Sequence, residues 1–169
     1  VEGQLLRYVP EQDDWVATVQ DAPFGINDAL YSNEDGRAEF MMPNNTWVRI
    51  DRNTQIQLIV LKEDVTEIDV ASGMARFYNK GSYGVIKATT PFGYVMAPAE
   101  TSFDLYVGDD SVEVIALKGT LNFVHHTSET RYEVIAGSTS FLADIGQVTA
   151  GKGDVDPDWN RWNRKGDTL

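Results

Sequence analysis

His125 and His126 are the two imidazoles of the chain, and a metal centre built on them needs further nitrogen or carboxylate ligands from elsewhere. Neighbours on a strand point to opposite faces, so the pair does not converge on one ion. The stretch 125–130 reads instead as an exposed polar loop. Asp154, Asp156 and Asp158 stand at positions 1, 3 and 5 of a calcium-loop pattern, but the sixth position is Trp159 instead of Gly and the twelfth is Lys165 instead of Glu. A solvated acidic linker is the reading that follows, with no metal and no cofactor. Carboxylates that could serve a glycosidase stand at Glu63 and Asp64, Glu67 and Asp69, and Glu100 and Asp104. Acids that alternate along a strand mark its wet face, and nothing in the spacing fixes the separation that hydrolysis needs. Nucleophilic catalysis has less to draw on: the chain has no Cys, no Gly-x-Ser-x-Gly elbow and no Gly-rich phosphate loop. No catalytic residue is expected and the chain does not read as an enzyme. What remains for contact chemistry is a set of aromatics, Trp47, Tyr94, Tyr106, Trp159 and Trp162, which could stack on sugars or meet a protein partner.

The elements that must position these residues are strands. Residues 93–97, 101–107 and 112–117 carry β-branched and aromatic side chains in a rough two-residue alternation, bounded by Pro, Gly and Asp. Gly108-Asp109-Asp110-Ser111 is predicted to close a hairpin through residues that tolerate positive φ. Strands are also expected at 1–9, 15–19, 37–41, 47–50, 54–58 and 65–70. The same grammar recurs along the chain. Pro43 and Pro91 are 48 apart, Thr54 and Thr101 are 47 apart, and Gly73 to Gly119 and Phe77 to Phe123 are both 46. Two internal repeats of about 46–48 residues follow, a period of the size that marks stacked supersecondary units. A weaker third echo runs from Tyr132 to Gly151.

The fold expected is all-β, a twisted two-layer sandwich or a squat solenoid with one interior. Phe77, Phe103, Phe123, Ile56, Leu58, Val95, Val114 and Leu117 are the expected core, with Val70 and Leu117 as a second equivalent pair. Helical spacing is almost absent; a turn or two is expected in the Trp-x-x-Trp tail, docking both indoles on the β-core. Residues 1–150 read as one domain and 151–169 as an acidic linker and Trp-rich tail, with room for a further domain beyond.

The order GRAEFMMPNNTWVRIDRNTQIQL, ASGMARF, TPFGYVMAPAETSFDL, VIALKGTLNF, YEVIAGSTSFL is similar to the FecR domain of bacterial envelope proteins. The likeness spans residues 5–150 and is strongest at Thr90-Pro91-Phe92-Gly93 with Thr101-Ser102-Phe103. It departs at Asn44-Asn45-Thr46, where the family carries Asp-Gly-Thr, and at Asn27-Asp28-Ala29-Leu30, where the family has Gly-Asp-x-hydrophobic. Asn can take the left-handed conformation at both places. The resemblance implies a non-catalytic envelope module, periplasmic or secreted, engaging another envelope protein; FecR itself relays a signal from an outer-membrane transporter to a cytoplasmic sigma factor. A carbohydrate- or peptidoglycan-binding module and a structural spacer are the competing readings.

Composition narrows the partners. With 26 acidic against 14 basic residues and a net charge of −12 over 169 residues, the surface repels phosphates, so nucleic acid is not expected as a partner. The longest apolar run falls far short of the roughly 20 residues of a membrane span. The chain opens on Val1-Glu2-Gly3 without an initiating Met, as a processed chain would, and a leader upstream would not be seen in it.

Overall fold

The computed structural model describes residues 5–9, 11–17 and 25–167. Residues 1–4, 18–19 and 22–24 of the expected first strands and entry turn lie outside the described residues. In chain order the strands are β1 (Leu5–Val9), β2 (Asp14–Ala17), β3 (Ala29–Ser32), β4 (Ala38–Met41), β5 (Thr46–Ile50), β6 (Thr54–Leu61), β7 (Val65–Asn79), β8 (Val85–Thr89), β9 (Gly93–Ala97), β10 (Thr101–Val107), β11 (Val112–Lys118), β12 (Thr120–His125), β13 (Arg131–Ile135), β14 (Ser140–Ala143) and β15 (Val148–Ala150), followed by helix α1 (Pro157–Asp167). The fold is all-β, and the strands form one continuous open sheet.

Strand β7 organises that sheet. Its first part pairs with β6 and β8, and its second part pairs with β5 and β10. The chain changes direction at Gly73, where φ is +98° and a Cβ would sit 2.3 Å from Thr54 Oγ1, so only glycine fits the corner. One strand thereby belongs to two half-sheets. The first half runs β2-β1-β3-β6-β7-β8-β9-β12-β13, and the second runs β4-β5-β7-β10-β11-β14-β15. The β7–β8 pairing is parallel, unlike the other described pairings. A parallel pair needs a long crossover, and the second part of β7, lying in the other half-sheet, supplies it.

Alternating residues of both half-sheets point into one hydrophobic core. From the first half come Leu30, Ile56, Ile68, Val95 and Phe123; from the second come Val48, Phe77, Phe103, Leu105 and Val114. Phe77 and Phe103 stack with centroids 4.9 Å apart. The Thr-Pro-x-Gly turn between β8 and β9 is built on Thr90, whose hydroxyl donates to Gly93 O (2.7 Å) and accepts from the N–H groups of Phe92 and Gly93. A Cβ on Gly93 would meet Phe123 Cζ and Val124 O at 2.5 Å, so this glycine lets two strands close up.

Asn27 and Asn45 take the left-handed conformation expected of them, with φ of 70° and 63°. Three expectations need correction. Leu117 is only half-buried: Phe103 pairs with Ala116 and Ser102 with Lys118, so Leu117 is the extra residue of a bulge and loses its place on the inner face. The 108–111 hairpin closes through a Gly108 N–Ser111 O bond of 2.8 Å, with no positive φ in the turn. His125 is not in an exposed loop. It ends β12 and is buried, with Nε2 donating to Asp144 O (2.6 Å) and Nδ1 3.1 Å from Ser128 Oγ; His126 is exposed.

Candidate functional site

A charge at every second position of an otherwise apolar strand falls on one face, and four adjacent strands of the second half-sheet do this in register. Glu39 on β4 pairs with Arg49 on β5, Arg49 with Arg76 on β7, and Arg76 with Asp104 on β10. The result is a ladder of side chains running across the strands on the face away from the core. Arg76 grips Asp104 with two bonds, Nε–Oδ1 at 2.6 Å and Nη2–Oδ2 at 2.9 Å. Tyr106 Oη donates to the second carboxylate oxygen at 2.8 Å. Arg49 Nε donates to Glu39, and Arg37, just before β4, donates from Nε to Asp51 at 2.7 Å.

Helix α1 lies over this ladder. Asp156 caps its N-terminus, accepting from Trp159 N at 2.9 Å, and Pro157 opens the first turn, where the missing N–H costs nothing. The helix covers eleven residues, longer than the turn or two expected. From it Asp158 receives Arg37 Nη2 at 2.6 Å, and Asn160 receives Arg76 Nη1 at 3.2 Å. Nη1 of Arg49 is shared among Tyr78 Oη, Asn163 O, Asn163 Oδ1 and Asp167 Oδ1 at 2.7–3.2 Å. Arg49 thus sits under the carbonyl end of α1, where a cation complements the helix dipole. Trp159 is wholly buried and stacks on Trp162 with centroids 5.5 Å apart. The Arg76 and Arg37 guanidiniums lie over the two indoles at 5.9 and 5.6 Å.

Burial alone would lower the pKa of Arg76, but the Asp104 carboxylate outweighs it and the guanidinium is held more firmly charged than usual. Burial first, and the Asp104 charge second, push the Tyr106 phenol well above its ordinary range. The bond from Arg37 holds the Asp158 carboxyl below the ordinary carboxylate range. The site is therefore a set of fixed charges with fixed partners.

Of the five aromatics singled out in the sequence, four meet at this face. Trp159 and Trp162 lie on α1, Tyr106 beneath its start, and Trp47 one row beyond Arg49, opposite Tyr78. Lys80 Nζ sits 3.4 Å from the centroid of Trp47. Tyr94 is elsewhere, on the outer face of the first half-sheet, beside His126 and Lys87. Asp104, grouped with Glu100 as a wet-face acid, is fully buried under α1; Glu100 is an exposed turn residue. Asp69 accepts from Thr89 Oγ1 at 2.6 Å and Glu67 pairs with Lys87 at 3.5 Å. Asp156 and Asp158 are occupied as helix cap and ion pair. Among the described residues no group of three or more acidic or histidine side chains is placed to hold a metal. Arg37, Arg49, Arg76 and Asn163 went unremarked in the sequence. For Arg49 and Arg76 the signal was a charge standing where an apolar strand turns outward, as in Trp47-Val48-Arg49-Ile50.

The family model described as FecR protein matches residues 28–122. A comparison with curated protein sequences finds no match. Among solved structures, two crystal structures, each of a protein assigned as an anti-sigma factor from Parabacteroides distasonis, share the fold at 13% identity. One gives a TM-score of 0.64 over 80% of this chain and 64% of that one, the other 0.61 over 75% and 60%. The chain spans less than two thirds of those proteins. The family match is shorter at both ends than the 5–150 expected from the sequence, leaving β1, β2, β13–β15 and α1 outside it.

Proposed function

Since this chain belongs to the FecR family, we propose that it is a non-catalytic protein-binding module of the bacterial envelope, periplasmic in location, that takes part in signalling by engaging another envelope protein. The family match over residues 28–122 carries the reading. The likeness to proteins assigned as anti-sigma factors agrees with it. So does the chemistry of the ladder, where Arg37, Arg49 and Arg76 are paired with Asp51, Glu39 and Asp104.

The route of engagement we infer is strand addition. Among the described residues strand β4 pairs with β5 alone, leaving its other side open to an incoming strand; β13 pairs with β12 alone, although Thr139 Oγ1 already bonds Ile135 N and Glu133 O. Met41 on β4 is 65% exposed, and Ile135 on β13 is exposed as well. The sugar-binding reading asked for an open row of aromatics; Trp159 is buried and Trp47 carries Lys80 on its ring. Photo-crosslinkers placed at Met41 and at Ile135, in the bacterium that makes the protein, are expected to yield one discrete adduct with an envelope protein. Co-sedimentation with peptidoglycan sacculi in place of such an adduct would move the assignment to the glycan reading.

We further infer that residues 1–150 form the module and 151–169 its appended tail, and that the module is built from two equivalent units of about 46–48 residues. Register supports the second inference. Val48 faces Phe77 and Val95 faces Phe123; Ile56 faces Val70 and Phe103 faces Ala116.

A further inference from the structure

We propose that the guanidinium ladder is an exchangeable helix-docking site, in which α1 is the resident ligand and a helix of a partner protein that carries the same pair of spaced carboxylates is the alternative occupant. The proposal rests on the reading of this chain as a protein-binding module and names a partner chemistry for it.

The first support is that the ladder is neutral without α1. Arg37 has Asp51, Arg49 has Glu39 and Arg76 has Asp104, all from the β-body. Lifting the helix therefore leaves no buried guanidinium without a carboxylate, which is the condition that makes breaking a buried ion pair so costly. The second support is asymmetry. The three arginine side chains are 2–6% exposed, whereas the α1 carboxylates they hold, Asp158 and Asp167, are 57% and 47% exposed. With α1 in place the receptor side is covered and keeps its own carboxylate partners in the β-body, while the ligand carboxylates sit at the surface, where ion pairs are weak.

The third support is the fit of α1 itself. Its buried apolar anchor, Trp159, has an indole N–H with no hydrogen-bond partner, and a buried unpaired donor opposes docking. The segment that tethers α1, residues 151–156, has no regular structure. Its bonds to the body are Gly151 N–Ser140 O, Gly153 N–Glu113 Oε2 and Asp156 N–Tyr106 Oη. The pattern α1 presents defines the occupant: a helix carrying a carboxylate, an aromatic beside it, an Asn five residues on and a second carboxylate nine residues on.

The test uses the intact chain and a fluorescein-labelled synthetic peptide of residues 154–169. The peptide competes with a tethered helix whose effective concentration is about 1 mM, so it is added up to and beyond that level. Expected are saturable binding and at least tenfold faster hydrogen exchange of the α1 amides at saturation. Binding of a peptide bearing Asp158→Asn and Asp167→Asn is expected to be at least tenfold weaker, a comparison that leaves the protein untouched. Arg49→Gln in the protein is expected to weaken binding to a similar degree, and Arg131→Gln, on exposed β13, to leave it unchanged. Absence of saturation, binding indifferent to the two carboxylates, or binding without release of α1 would each overturn the proposal. The adducts at Met41 and Ile135 report on partner engagement separately, so loss of helix exchange and loss of the protein-binding reading are told apart.

Discussion

Arg49 and Arg76 stand directly opposite one another on β5 and β7, both buried, two cations in a position where like charges repel. The arrangement holds because a carboxylate flanks each on the outer side, Glu39 beyond Arg49 and Asp104 beyond Arg76. The order of charges across the four strands is acid, base, base, acid. Asp104→Asn removes one end of that order and leaves Arg76 without its bidentate partner. A loss of about 3–5 kcal/mol in urea unfolding is expected. The double variant Arg76→Met with Asp104→Leu should recover most of it, since an apolar pair of similar volume leaves no charge uncompensated. Equal losses in the single and double variants would show that the uncompensated Arg76 charge is not the source of the loss.

Removing the apolar anchor of α1 is expected to act locally. Trp159→Ala should release the helix from the sheet, seen as loss of protection at α1 amides, while amides of β7 and β10 keep theirs, because local opening is cheaper than global unfolding. Asp158→Asn, at an exposed carboxylate, should change global stability little, since surface ion pairs contribute weakly. Simultaneous loss of protection in α1 and β7 would mean that helix and sheet form one cooperative unit.

Legibility in the sequence followed the kind of signal each residue gave. Strands β9 and β10 lie where the alternation put them because each has an apolar inner face and turn formers at its ends. Strand β8 went unseen: Val85-Ile86-Lys87-Ala88-Thr89 has two small or charged residues and is held as the parallel partner of β7, a long-range contact without local signature. Leu117 failed because a bulge shifts the period by one residue, which no inspection of hydrophobicity registers. At the candidate site the aromatics were visible one by one, but the ladder was not. Arg49, Arg76 and Asp104 are far apart in sequence, and only the strand order brings them into one row under α1.

The site also sets a response to pH at both ends of the scale. The Asp158 carboxyl is held low by the bond and charge of Arg37. Its contribution is present above the unfolded-state pKa of about 3.9 and is lost as pH falls through the lower folded value. The Tyr106 phenol is held high, by burial and by Asp104, so its contribution is present below about pH 10 and is lost as pH rises towards the folded value. Acid titration should therefore loosen α1 first, and Asp158→Asn should flatten that step. Tyr106→Phe should flatten the alkaline limb, followed by unfolding and by phenolate absorbance. An acid step unchanged by Asp158→Asn would remove this carboxyl as its origin.

The two-unit inference is tested at Phe77 and Phe123. The rings are 46 residues apart and both are wholly buried, and each lies across from a valine, Val48 and Val95, that is itself 47 residues from its counterpart. Phe77 follows Gly73 within β7 and Phe123 follows Gly119 on β12, and both glycines take positive φ, 98° and 77°. In each unit, moreover, a bulge precedes the glycine: the pairing slips between Gln55 and Ile56 in one and between Ser102 and Phe103 in the other. The bulge residues are Ala71 and Leu117, which makes Ala116, and not Leu117, the counterpart of Val70. Equivalent environments predict equivalent costs. Phe77→Ala and Phe123→Ala should each destabilise by about 3–5 kcal/mol, from lost burial and the cavity left behind. His126→Ala, at an exposed position, should stay within about 0.5 kcal/mol. Urea unfolding of the three variants decides the matter: a severe Phe123→Ala beside a neutral Phe77→Ala would show that the two units share a period in sequence but not a place in the fold.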